Sequence, residues 1–340
     1  MFSGKIGVPM EGLAELGRLV AAQGAVLLKN EEETLPIQRG EKVAVFGRCQ
    51  LDYYRSGTGS GGAVNVLYTT NLIDGLRGIE GVQVDEILAQ NYVDFIKENP
   101  FDNGGGGWAA EPWFQKEMPL TEQLAAEASE RNDKALIVIG RTAGEDKDNV
   151  DAPGSYQLTE TEKQMIEMVC AHFEKVIVAL NVSNIIDMSF MCVEKCKDAI
   201  KSVIYLWHGG IEGGNAAADV LTGRVTPSGK LSDTIVYDLK DYPSTEGYGD
   251  PYESYYKEDI YVGYRYFETF APQKVMFPFG YGLSYTQFSI QGTMAYDGQK
   301  VTVRAKVKNI GEKYAGREVV QVYVNAPQGC LGKASRSLVG

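Results

Sequence analysis

Histidine is almost missing from this chain: there are two in 340 residues. His172 and His208 are too few to build a histidine-based metal centre. Cysteine is also scarce. Cys49, Cys170, Cys192, Cys196 and Cys330 are odd in number and lack the spacing of a disulfide framework. That pattern suits a reducing compartment and predicts a cytoplasmic protein. Cys192 and Cys196 are close enough to share a helix face, but without a CxxC pair they are read as two small buried side chains, not zinc ligands. No metal and no cofactor is expected. Positive charge is in deficit, with 33 basic against 45 acidic side chains and a formal charge of -12. Such a balance argues against a phosphate backbone as partner and leaves a neutral, hydroxyl-rich ligand acceptable. Long apolar runs are missing too: Glu11, Glu15 and Arg18 interrupt the stretch from Met1 to Asn30, so neither a signal peptide nor a membrane anchor is read there.

The remaining composition is that of a globular protein, with 44% hydrophobic and 23% charged residues. Single cores stop growing at about 250 to 300 residues, so two domains are expected. Short apolar runs at Ala25 to Leu28, Val43 to Phe46, Ala135 to Ile139, Val176 to Leu180 and Val203 to Leu206 read as buried strands. Helical patterns accompany them. Glu11 to Gln23 places Leu13, Leu16 and Val20 at helical spacing, with Gly24 as a C-cap. Thr159 to Phe173 opens with a capping box of Thr159 and Glu162, and Asn215 to Leu221 closes at Gly223. Buried strands alternating with helices imply an α/β fold with a mostly parallel sheet covered by helices, running to about residue 240. From 241 to 284 the chain is a tyrosine-rich linker, expected to pack rings and hydroxyls over a surface. Val301 to Val307 and Val320 to Val324 then alternate with polar residues, as strands with one solvated face do. Residues 285–340 are too few for a whole β-sandwich, which wants about seven strands.

Gly57, Gly59 and Gly62 satisfy GxGxxG, yet the motif neither follows a strand at once nor opens a helix, so it is read as a loop near a ligand or a tight surface loop instead of a dinucleotide cradle. Gly104 to Gly107 with Trp108 is a second permissive loop, either covering a ligand or a surface insertion. The run RTAGEDKDN, Arg141 to Asn149, directly follows a strand, where open α/β sheets hold ligands. It sets Glu145, Asp146 and Asp148 beside Arg141 and Lys147, an arrangement that permits one protonated and one ionised carboxyl. A solvated acidic loop is the competing reading. Arg48 and His208 also follow strands and are candidates for substrate contact or local hydrogen bonding. Trp207 reads as packing, and Glu212 as support for the start of the next helix.

Taken together, the chain resembles glycoside hydrolase family 3, in particular its bacterial β-glucosidases. GAVLLKNEEETLPI (Gly24 to Ile37), GTGSGG (Gly57 to Gly62), RTAGEDKDN and LWHGGIEGGNAAADVLTGRVTPSGKL (Leu206 to Leu231) resemble segments of that family's α/β-sandwich domain. DIYVGYRYFET (Asp259 to Thr269) and FPFGYGLSYTQF (Phe277 to Phe288) resemble the approach to its fibronectin type III-like domain, which would here be incomplete. The resemblance implies that Glu145 is the general acid/base and that Asp148 matches the following aspartate. Asp146 and Asn149 depart from the family's glycine and arginine, so no salt-bridge role is carried onto them. Arg48, Arg141, Asp148 and His208 are expected to bind substrate or support the loop. The family's nucleophile is an aspartate on a separate (β/α)8 barrel, which no stretch of this chain matches. The resemblance is to the inverted order, sandwich before barrel, and implies a retaining β-glucosidase acting on a β-glucoside or oligosaccharide, with this chain inactive alone. A β-xylosidase or related exo-glycosidase, a noncatalytic carbohydrate-binding piece and a structural scaffold are the alternatives. A homo-oligomer is left open.

Overall fold

A computed structural model describes residues 8–62 and 64–340. The chain divides into two compact units between Gly229 and Lys230.

The first unit is built on a six-stranded sheet. Its strands are β1 (Val26–Asn30), β2 (Lys42–Phe46), β3 (Gln83–Val84), β4 (Lys134–Gly140), β5 (Val176–Asn181) and β6 (Ile200–Tyr205), in the spatial order β1-β6-β5-β4-β2-β3. All neighbours are parallel except β1, which runs antiparallel to β6 at one edge. Each run of apolar residues noted in the sequence therefore contributes a strand. The two-residue edge strand β3 carries no such run. Every residue of β4 and β5 is buried, as covering a parallel sheet on both faces requires.

Among the described residues, six helices accompany this sheet: α1 (Leu13–Gly24), α2 (Leu72–Arg77), α3 (Glu86–Glu98), α4 (Glu122–Arg131), α5 (Glu160–His172) and α6 (Gly213–Leu221). Local chemistry sets their starts. Asn71, Asp85 and Thr121 accept backbone N–H groups at the first turns of α2, α3 and α4, and both halves of the Thr159–Glu162 capping box form on α5. The first helix forms as its spacing predicts, with Leu13, Leu16 and Val20 51%, 56% and 60% exposed and the small residue Ala22 buried. Gly24 is its last helical residue and has no left-handed φ. Cys192 is likewise exposed, in a 3-10 turn, while Cys196 is buried; the two do not form a buried pair.

In the second unit, β7 (Ile235–Val236) pairs antiparallel with β8 (Val275–Phe277), so the segment just before residue 240 makes its contacts here. Helix α7 (Tyr264–Phe270) buries Phe267 against Val236 and Ala271, with Tyr242, Tyr266 and Val275 around them. The tyrosine-rich stretch is mixed in character: Tyr242 donates to the Thr234 carbonyl and Tyr264 stacks on Phe279, whereas Tyr252 and Tyr256 are almost fully exposed. Strands β9 (Phe288–Tyr296) and β10 (Val301–Asn309) form an antiparallel hairpin, and β11 (Tyr323–Asn325) pairs with β12 (Arg336–Leu338). The alternation at Val301 to Val307 is thus a strand, while only the end of Val320 to Val324 becomes one. Ile290, Met294 and Tyr296 stand directly opposite Val307, Val303 and Val301, so the hairpin has one apolar face, and all six side chains are exposed. A two-stranded hairpin cannot bury that face by itself. These small antiparallel sheets make a partial β-sandwich.

Among the described residues, no helix is long and apolar enough to cross a membrane.

Candidate active site

The loops leaving the carboxyl ends of β2, β4, β5 and β6 converge. Asn181, the last residue of β5 and fully buried, ties three of them: its amide donates to the carbonyls of Tyr54 and Trp207, and its oxygen accepts the Tyr54 N–H. This is the edge at which open α/β folds place ligands.

After β4 the chain runs through Arg141, Thr142 and Ala143 into a tight turn. Gly144 and Lys147 exchange backbone hydrogen bonds of 3.1 and 3.0 Å, which leaves Glu145 and Asp146 as the two central residues. Asp146 has φ 57°, the left-handed region that a turn of this kind usually gives to glycine and that aspartate tolerates better than most residues. Two segments clamp the turn. On one side, Thr58 donates its backbone N–H to the Ala143 carbonyl at 3.0 Å, and the Ser60 N–H donates to Glu145 Oε2 at 3.0 Å. Gly59 fits against the Glu145 side chain so closely that a Cβ there would lie 2.4 Å from the Glu145 Cβ. On the other side, Thr142 donates to the Trp113 carbonyl, Trp113 Nε1 to the Asp148 carbonyl, and Trp108 Nε1 to Asp146 Oδ2 at 2.8 Å.

The glycine loop and the Trp108 segment also wall a cavity of about 430 Å³, lined by Tyr53, Tyr54, Gly57, Thr58, Phe101 and Trp108 among others. Glu145 stands beside it with an exposed side chain whose carboxylate is held by one backbone N–H. A carboxyl so placed can exchange a proton with a bound molecule while keeping its position. Glu111 lines the same cavity, and burial pushes its pKa above the usual glutamate value.

The other sequence candidates lie around this turn in different states. Arg141 is buried, with its guanidinium bidentate on Glu162 at 2.6 Å for both bonds and donating also to the carbonyls of Gly140, Ser155 and Gln157. His208 donates Nε2–H to the Arg141 carbonyl at 2.8 Å and stacks on Tyr54, and burial holds its pKa below the ordinary value. Asp148 is exposed, and its backbone carbonyl carries the bond to Trp113. Arg48 is apart from the turn. Its guanidinium, 1% exposed, is consumed by Asp52 and by the Lys116 and Asn99 carbonyls, and it lines a second cavity with Glu117 and Phe114. Trp207 packs on Tyr205 with ring centroids 4.6 Å apart, and Glu212 accepts from Tyr68 and Asn215 at the start of α6.

Several participants escaped the sequence. Asn181 ends an apolar strand and Glu111 sits in an unremarkable loop; their importance comes from partners over a hundred or several tens of residues away. Glu117 is another. Its buried carboxylate accepts the Arg48 and Met118 N–H groups, and burial still raises its pKa to about 7. No local pattern announces such a group.

The sheet and the turn have close counterparts. Residues 25–285 match the model of the glycosyl hydrolase family 3 C-terminal domain. A β-glucosidase of Ruminococcus albus is 52% identical over 94% of this chain, which spans 33% of that protein. The crystal structure of a β-glucosidase from Paenibacillus barengoltzii superposes with a TM-score of 0.96 at 56% identity, covering 99% of this chain and 37% of the other. β-Glucosidase 3B from Thermotoga neapolitana, solved in complex with glucose, gives 0.86 at 36% identity, covering 96% and 46%. The chain therefore spans less than half the length of these relatives. With its fold, its matched segment and these relatives in agreement, the chain belongs to glycosyl hydrolase family 3, of which it carries the C-terminal domain.

Proposed function

We propose that this chain supplies the general acid/base of a retaining β-glucosidase, and that Glu145 is that residue. The observation that carries the reading is the Glu145 carboxylate, anchored by the Ser60 N–H on a turn beside the aromatic-walled cavity and otherwise exposed. In the first step an aspartate from a (β/α)8 barrel attacks the anomeric carbon. As the glycosidic bond breaks, the protonated Glu145 gives its proton to the departing oxygen. In the second step the Glu145 carboxylate takes a proton from water, which displaces the aspartate and frees glucose with its configuration retained. The two carboxyl groups must come within about 5 to 5.5 Å of each other for this chemistry.

In the same reading, Arg141, His208 and Asp148 support the loop: each reaches it through backbone carbonyls or a buried ion pair, leaving Glu145 to meet the substrate. Arg48 supports the neighbouring loop through Asp52. The barrel completes the site and follows this chain in the whole protein. Reading the coding DNA on both sides tests that order, and a barrel encoded upstream would overturn it. The domain limits are proposed near residues 240 and 284, with 285–340 an incomplete fibronectin type III-like domain. All five thiols are free, which supports a cytoplasmic location.

The experiment joins this chain to a family 3 barrel and compares wild type with Glu145→Gln on glucosides of poor and good leaving groups. Turnover that depends on Glu145 most where the leaving group is poor supports the reading; without the barrel, no turnover is expected. Aryl xylosides run alongside separate a β-xylosidase from a β-glucosidase.

A further inference from the structure

We propose that Asp146 and Trp108 form a latch that positions Glu145, a role resting on the acid/base reading above. The sequence offers an oddity at this point. Asp146 takes a left-handed φ of 57°, a conformation that glycine adopts without strain. Ala109, next to Trp108, also has a positive φ, of 50°. Left-handed backbone thus stands at one partner, and next to the other, of one hydrogen bond, Trp108 Nε1–H to Asp146 Oδ2 at 2.8 Å. A glycine at 146 would relieve the turn and lose the acceptor.

Among the described residues, the latch does what no other contact to the turn does. The Thr58 N–H on the Ala143 carbonyl, the Thr142 N–H on the Trp113 carbonyl and the Trp113 indole N–H on the Asp148 carbonyl fix the residues flanking the turn, and the Ser60 N–H holds the Glu145 carboxylate. Among the described residues, Asp146 alone ties the centre of the turn to the Trp108 wall of the cavity by a side-chain hydrogen bond. Lys147 adds a weaker tie, with Nζ 3.4 Å from the Ala109 carbonyl and lying over the Trp113 ring. Because Glu145 and Asp146 are adjacent on a two-residue turn, a shift of one reorients the other. The Trp108 ring and the acid therefore hold a fixed relation, and the leaving group of a substrate in the cavity meets both. Asp146 and Trp108 are positioning residues: they set where the proton is delivered without carrying it.

Two opposed effects make the idea testable on the 340-residue chain. If the backbone alone matters, Asp146→Gly rigidifies the turn. If the latch matters, the same change loosens it. Hydrogen exchange at the amides of Ser60, Gly144 and Lys147 reads the difference. The latch predicts exchange about fivefold faster in Asp146→Gly and in Trp108→Phe, the factor that a lost hydrogen bond of about 1 kcal/mol produces. Asp146→Asn keeps an acceptor oxygen and the tolerance for a left-handed φ, and exchanges like wild type. Unchanged or slower exchange in the glycine variant, or asparagine behaving like glycine, overturns the latch. In the barrel-joined enzyme, Asp146→Gly and Trp108→Phe lower kcat on poor leaving groups on the order of tenfold with KM within about twofold, and asparagine restores it. An equal loss on good and poor leaving groups overturns the positioning role. Failure of the acid/base reading shows separately, as Glu145→Gln sparing poor leaving groups, while the exchange result involves no catalysis.

Discussion

The segment leading from β4 into the Glu145 turn begins at Arg141, and Arg141 is held by an ion pair whose loss has a calculable cost. The Arg141 and Glu162 side chains are 1% and 6% exposed and joined by two bonds of 2.6 Å. Glu162→Ala removes both and leaves a buried guanidinium with three carbonyls as its remaining partners. Breaking one side of a buried pair costs about 3 to 5 kcal/mol, and those carbonyls keep this case near the lower figure. Glu162 also accepts the Thr159 N–H and hydroxyl in the capping box of α5, and losing that half of the box adds about 1 kcal/mol. The expected loss is about 4 kcal/mol. For a unit of this size that lowers the melting temperature by roughly 10 °C. Urea unfolding followed by circular dichroism measures it, with an unchanged m-value showing that stability alone has moved. Glu162→Gln, which keeps one acceptor for Arg141, loses about half as much. A loss below about 1 kcal/mol in the alanine variant would refute the claim that this pair anchors the site.

Two other expectations follow from single groups. Glu117 is buried with its pKa raised from 4.5 to about 7, so between those values the folded chain holds a proton that the unfolded chain has lost, and stability falls as pH rises through that window. The loss amounts to about 3 kcal/mol at pH 8; Glu117→Gln flattens it, which urea unfolding at pH 5 and pH 8 checks, and an unchanged slope contradicts the assignment. Gly59→Ala places a methyl 2.4 Å from the Glu145 Cβ at a φ of 86°, so it displaces the acid more than it unfolds the chain. The expected result is a kcat loss of roughly 100-fold in the barrel-joined enzyme with a melting temperature within a few degrees of wild type, and full activity would contradict the close fit.

Much of the first unit was legible because buried parallel strands are short, apolar and bounded, as in β4 and β5, and because capping chemistry is local, as in Thr159 with Glu162. Placing Glu145 just past β4 followed from the same strand. What the local pattern could not reveal was contact made across the fold: Asn181 bridging to Tyr54 and Trp207, Trp108 reaching Asp146, and Glu117 holding the Arg48 N–H. Arg48, read as a substrate contact or a local hydrogen-bond partner, has its guanidinium bonded to Asp52, a partner that its place after β2 does not name. In α1 the spacing of Leu13, Leu16 and Val20 gave the helix, but not that these three side chains are exposed. Strand β9 had a readable signal in the alternation of Phe288, Ile290, Met294 and Tyr296. The hairpin it forms leaves that apolar face open, which no period-two pattern discloses.

The proposed role of Glu145 as proton donor is tested most directly by how its loss depends on the leaving group. With the barrel joined, kcat for an alkyl glucoside should fall about 100- to 10,000-fold in Glu145→Gln, while a dinitrophenyl glucoside, whose departure needs no proton, keeps its rate of glycosyl transfer to the enzyme. The same proportional loss of that first step on both substrates would contradict the account.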